Sequence, residues 1–189
     1  AGMIAAPLPL LWRREDMVSA LGRIGARAII SGGWVGGHDL GEGAVHAAAE
    51  VFSVRHVCGF GSTLTDGVVS LGELFTTDRL DTRPPMERPD NPSAHLALVT
   101  WETTAKGCVP VARSHDELIA GGLAVILESQ LGQDATIQAS QLQGSFAGLA
   151  LTVMPWLLCG GTLVLHQPFD PEVFAAQCSE LRCGTLVLP

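Results

Sequence analysis

A chain of 189 residues is long enough for one ordinary domain or for a piece of a larger one. Hydrophobic residues make up 47% and charged residues only 16%, against about 25% charged in an average soluble domain, so the chain has little polar surface of its own. A net charge of −8, with eleven Lys and Arg scattered along the sequence, excludes an electrostatic footprint for nucleic acid or an anionic membrane.

In chain order, "AGMIAAPLPLLW" reads as a short buried strand closed by prolines, and "REDMVSALGRIG" places Met17, Val18, Leu21 and Ile24 at helical spacing. "ARAIIS" is a second strand, "GGWVGGHDLGEG" a glycine-rich connection, "AVHAAAEVF" a helix, "VRHVCGF" a third strand and "GVVSLGELF" a β-rich run. Strands alternating with helices predict a parallel sheet. Thr76 to His95 carries Pro84, Pro85, Pro89 and Pro92 with mixed charge, and reads as an exposed linker. The expected organisation is a first β/α block at 1–75, the linker at 76–95 and a second β/α block at 96–189, within one α/β domain of largely parallel sheet and covering helices.

The second block restarts with the strand "LALVTW". Ser114 precedes Glu117 by three residues, a capping-box signature, and "ELIAGGLAVILES" follows as an apolar helix. "ATIQA" is a strand, "QGSFAGLALTVMPWLL" a buried helix, "GGTLVLHQ" a strand, "DPEVFAAQCSELR" a helix begun by Asp170 and Pro171, and "CGTLVLP" a closing strand. No Asp, Glu, Lys or Arg occurs between Ala135 and Phe169. The apolar helical part, Phe146 to Cys159, is shorter than the ~20 residues of a membrane span, and Pro155 with Gly160-Gly161 breaks it. A buried core helix is therefore expected, not a span. An apolar closing strand without a covering element predicts that more chain follows in the parent protein and that this piece self-associates through exposed apolar surface.

Five cysteines, at 58, 108, 159, 178 and 183, show no CxxC spacing, and no secretory leader opens the chain, which together predict a reducing cytoplasm. The six histidines, 38, 46, 56, 95, 115 and 166, form no HxxxH pair, so no metal site is expected. Gly32-Gly33-Trp34-Val35-Gly36-Gly37 lacks the spacing of a dinucleotide loop and reads as a flexible connection. Neither a GxSxG elbow nor a cysteine with an evident partner base supports hydrolysis.

The stretch "LVTWETTAKGCVPVARSHDEL" holds the remaining candidate chemistry. Thr103, Thr104, Lys106 and Gly107 are read as lying between a strand and a helix start, where hydroxyl donors, a flexible cation and the positive helix end suit phosphate oxygens.

From Ala1 to Pro189 the order of segments resembles the large N-terminal domain of adenylate-forming ligases, the acyl-CoA synthetase family. "AGMIAAPLPLLWRREDMVSALGRIGARAIIS" is similar to an opening family passage, and "PWLLCGGTLVLHQPFDPEVFAAQCSELRCGTLVLP" is similar to its helix, Gly-Gly turn, strand, "FDPE" helix and following strand. Between them, the Thr-Thr and Lys-Gly of this chain fall where the family carries the phosphate loop "YTSGTTGxPKGVxxSH". The resemblance implies ATP-dependent activation of a small carboxylic acid to an acyl-adenylate, then transfer to coenzyme A, with Mg²⁺. It implies catalytic roles for Thr104 and Lys106, and nucleotide contacts from Thr103, Thr104, Lys106 and Gly107. Glu102 replaces the first loop glycine, Ala105 the second, and the loop is shorter, so the resemblance also leaves a catalytically silent binding or assembly module as the rival reading. The segment "QASQLQGSFAG" lacks the histidine found in the family at that place.

Overall fold

A computed structural model of the chain describes residues 3–72, 91–105, 107–181 and 184–189. Lys106, Cys183 and the linker up to residue 90 lie outside these; the described end of the linker, 91–95, is exposed turn. Two compact units are present, Leu10–Met86 and Ala1–Pro9 with Glu87–Pro189.

In the first unit, helix α1 (Arg14–Ile24) starts where the Arg13 amide donates to the Asp16 carboxylate at 3.1 Å, and ends on Gly25 in the left-handed conformation (φ 61°). Leu21 is buried and Met17, Val18 and Ile24 are half-buried, the face expected from their spacing. Strand β1 (Ala28–Ser31) precedes a hairpin of β2 (Trp34–Val35) and β3 (His38–Asp39). The expected flexible connection is thus an ordered turn, since Gly36 and Gly37, both at positive φ, suit the two-residue connection. The hairpin delivers Asp39 to the start of α2 (Leu40–Glu50), where its carboxylate accepts from the amides of Gly41 and Glu42. Thr65 donates its hydroxyl to the same carboxylate at 2.7 Å, and this bond, with the two amides, holds the Asp39 pKa below its ordinary value. Buried Ala44 and Ala47 let α2 lie against β1 and against β4 (His56–Gly59). β4 sits between β1 and β5 (Val69–Ser70), all parallel.

The second unit opens on a single bridge rather than the expected strand. Ala5 donates to the Ala97 carbonyl at 3.1 Å and accepts from the Val99 amide at 2.8 Å, and Pro7 and Pro9 prevent the ladder from continuing. The bridge partner is β6 (Leu96–Thr104), which pairs antiparallel with β7 (Gly107–Ser114). Pro110 is tolerated in β7 because it faces Trp101, whose own amide points the other way, to the Gly144 carbonyl at 2.9 Å.

Helix α3 (His115–Ser129) follows directly, and its capping box forms as expected: Glu117 N–H donates to Ser114 Oγ, and Ser114 N–H to the Glu117 carboxylate. Strand β8 (Thr136–Ala139) leads to α4 (Phe146–Gly148), a π-helical turn at Leu149–Val153, and α5 (Met154–Cys159). The expected single helix is therefore widened before Pro155, whose ring would otherwise meet the carbonyl one turn earlier. Leu149, Ala150, Thr152 and Pro155 are buried, and α3 packs on this segment through Gly121 and Gly122. Strand β9 (Thr162–Leu165), helix α6 (Pro171–Glu180) and β10 (Thr185–Val187) complete a three-stranded parallel sheet in the order β10–β8–β9. Asp170 caps α6 through the amides of Glu172 and Val173, with Pro171 in its first turn. The architecture is α/β with parallel sheets and packed helices. Among the described residues no helix is long and apolar enough to cross a membrane.

Candidate functional site

Alternation along a strand decides where the candidate side chains point. The pairs Trp101↔Pro110, Glu102↔Val109, Thr103↔Cys108 and Thr104↔Gly107 bring β6 and β7 together to the very tip of a hairpin. Thr104 thus shares a face with Glu102 and Thr100, while Thr103 lies on the other face with Trp101. The two threonines read as joint phosphate donors are not brought together. Thr104 Oγ1 donates to the Gly107 carbonyl at 2.7 Å, which closes the two-residue turn, and Gly107 supplies the positive φ of 99° that the turn needs. Lys106 lies outside the described residues.

The premise of a strand-to-helix loop is corrected. All of β7, Gly107–Ser114, intervenes before α3. Eight residues of strand span roughly 25 Å, and the field of a helix end fades within its first turn, so the α3 dipole does not act at the hairpin tip. Gly107 and Pro110 punctuate "GCVPVARS" and hide its strand character from a local reading. Pairing with β6 overrides that local signal.

One face of the hairpin holds a charged group that sequence reasoning did not single out. Arg113 donates from Nε to Thr100 Oγ1 at 3.1 Å and from Nη2 to Glu102 Oε1 at 3.0 Å, and its Nη1 lies 3.9 Å from Glu117 Oε1. Its guanidinium stands 4.5 Å from the centre of the Phe146 ring. Thr100 is fully buried. Two sequence signals point to this cluster: Arg113 is four residues before Glu117, and Val109, Val111 and Arg113 alternate as one face of a strand. Glu102, which stands where the resemblance has the first loop glycine, is paired with Arg113.

The described residues do not fit a magnesium-bound nucleotide as they stand. The Thr104 proton is directed at the Gly107 carbonyl, and the Glu102 carboxylate, a natural magnesium ligand, is engaged by Arg113. No group of three or more His, Cys, Asp or Glu that could hold a metal ion occurs among the described residues. The histidines have structural partners where the geometry is clearest: His166 is buried, its Nδ1 2.9 Å from Gln177 Oε1 and its Nε2 accepting the Asp170 amide at 2.9 Å.

No protein-family model and no curated protein matches the sequence. Solved structures do. A long-chain-fatty-acid-CoA ligase of Archaeoglobus fulgidus superposes with a TM-score of 0.77 at 19% identity, over 95% of this chain and 33% of its own. An anthranilate CoA ligase in complex with anthranoyl-AMP gives 0.71 at 15% identity, over 98% of this chain and 35% of its own. The fold is that of the adenylate-forming ligases. An amide bond synthetase of Marinactinospora thermotolerans shares this ligase fold, with a TM-score of 0.66 at 17% identity over 99% of this chain and 34% of its own. The chain spans between 32% and 44% of the length of the first structures matched. At these identities the likeness concerns the ligase fold alone, and a fold hosts many chemistries.

Proposed function

We propose that the chain is part of the large N-terminal domain of an acid–thiol ligase that activates a small carboxylic acid with ATP and Mg²⁺, forms an acyl-adenylate, and passes the acyl group to coenzyme A. The observation that carries this reading is the ligase fold over 95% or more of the chain, including the likeness to a CoA ligase structure that holds an acyl-adenylate. Thr103, Thr104, Lys106 and Gly107 are the phosphate contacts in this reading, with Thr104 and Lys106 catalytic, and it requires the end of β6 to rearrange because Thr103 and Thr104 lie on opposite faces. Because Thr104 is bonded to Gly107, its hydroxyl serves a phosphate only after the turn opens. The protein acts in the cytoplasm, a setting that suits thiols outside disulfides at Cys58, Cys159 and Cys178.

The test is pyrophosphate release by the full-length gene product with ATP, Mg²⁺, coenzyme A and a panel of carboxylic acids. Release above background is expected, falling roughly tenfold to a thousandfold in Lys106→Ala, the range for loss of one transition-state donor. Release that ignores Lys106→Ala removes this lysine from the site.

A second reading, a catalytically silent ligase-like binding or assembly module, is favoured by the closed hairpin and the Glu102–Arg113 pair. It predicts no pyrophosphate with any acid and no saturable Mg-ATP binding by calorimetry on the same sample.

A further inference from the structure

We infer that Glu102 is the hairpin's own anion: it fills an oxyanion-binding position on Arg113 and keeps that position shut to phosphates from outside. The inference rests on hairpin geometry, not on retained ligase activity.

Arg113 is built in from several elements at once. Thr100 on the neighbouring strand accepts from Nε at 3.1 Å, Phe146 of α4 lies under the guanidinium at 4.5 Å, and Glu117 of α3 is 3.9 Å from Nη1. Two of these contacts are with uncharged groups, so the guanidinium is held by more than the carboxylate it binds. Exposure differs between the partners. The Arg113 side chain is 18% exposed and that of Glu102 40% exposed, so the cation is the inner member and the carboxylate the outer one.

An oriented, partly desolvated guanidinium that loses the nearer of its two carboxylates is left under-neutralised, and the planar fork matches the oxygens of carboxylates and phosphates equally. Shortening Glu102 therefore leaves a space open to solvent beside a cation whose remaining carboxylate, Glu117, stands 3.9 Å from Nη1, and an external oxyanion can enter at Nη2. In the native chain such an anion must displace a carboxylate already attached to the neighbouring strand of the same hairpin. The residue that replaces a loop glycine in the ligase resemblance thus substitutes for the ligand as well as altering the backbone.

The probes are inorganic phosphate and Mg-ATP, titrated by calorimetry into the native chain, Glu102→Ala, Glu102→Gln and the double variant Glu102→Ala/Arg113→Gln, with urea unfolding to verify folding. Glu102→Ala is expected to bind phosphate about tenfold to a hundredfold tighter than the native chain, the value of one charge-assisted hydrogen bond. The gain weakens with added salt and disappears in the double variant. Glu102→Gln, which keeps size and loses charge, gives a smaller gain and serves alone should the alanine variant not fold. Phosphate affinity unchanged in a folded Glu102→Ala or Glu102→Gln overturns the inference, as does a gain that survives loss of Arg113. Pyrophosphate release by the native full-length protein without any phosphate gain in these variants would overturn this inference and leave the ligase reading standing. A phosphate gain without pyrophosphate release would do the reverse.

Discussion

Asp39 illustrates how one carboxylate links the end of a hairpin, the start of a helix and a distant loop. Thr65, Glu42 and Gly41 all donate to it and lower its pKa. A carboxylate with a depressed folded pKa gives its full stabilisation above its unfolded value near 4 and loses it as pH falls through the folded value. Urea midpoints followed from about pH 6 to about pH 2 should therefore fall further in the native chain than in Asp39→Asn, whose amide still caps but does not titrate. Equal losses would show that Asp39 does not contribute to acid sensitivity. At the start of α3, Ser114→Ala removes one half of the capping box and should cost about 1 kcal/mol in urea unfolding. Both caps are local devices whose donors lie two or three residues away, apart from Thr65. The Ser114 box was legible for that reason, whereas the bond from Thr65 crosses 26 residues and leaves no trace in a short window.

Among the elements, the β6–β7 hairpin and the α3–α5 contact depend on glycine in different ways. At Gly107 an added Cβ would meet nothing within 4 Å, yet φ is 99°, so Gly107→Ala should cost roughly 1–2 kcal/mol through the backbone alone. At Gly122 the backbone is ordinary, but a Cβ would stand 2.6 Å from Met154 Cβ and 3.2 Å from the Met154 carbonyl carbon. Gly122→Ala must therefore displace α3 from α5, at about 1–3 kcal/mol. Gly132→Ala, with neither obstacle, is the control and should leave thermal unfolding nearly unchanged. A large loss at Gly132, or none at Gly122, would contradict these packing assignments. The glycines of α3 stand out in its sequence, but whether a helical glycine is a weak point or a contact surface depends on what crosses it. Here Phe146, Ala150 and Met154 cross it, from a segment more than twenty residues downstream.

For the molecule as a whole, the scarcity of charge leaves apolar side chains facing solvent. Ile119, Leu123 and Leu127 recur every four residues along α3 at 39%, 44% and 75% exposure, one stripe of a helix. The isolated chain should self-associate as concentration rises, and Leu123→Glu with Leu127→Glu should reduce light scattering and the binding of an apolar dye. A clean monomer at high concentration without dye binding would count against this.

The sequence by itself determined the α/β class, the order of most strands and helices and the caps at Ser114 and Asp170, because periodicity and capping act over a few residues. The helical segment Phe146 to Cys159, by contrast, is buried only at Gly148, Leu149, Ala150, Thr152 and Pro155 and leaves Leu151, Leu157 and Leu158 exposed. Resemblance of segment order also anticipated the ligase fold. Only the tertiary structure decided that "GCVPVARS" is a strand, that Thr103 and Thr104 face opposite ways, and that Glu102 has a partner in Arg113. Antiparallel pairing turns a one-residue difference into opposite faces, and it carries Arg113 back along the hairpin to a carboxylate eleven residues earlier in the chain. Local composition contains neither the pairing nor the register, so the charge that a linear reading leaves open at Glu102 is neutralised only when the two strands meet.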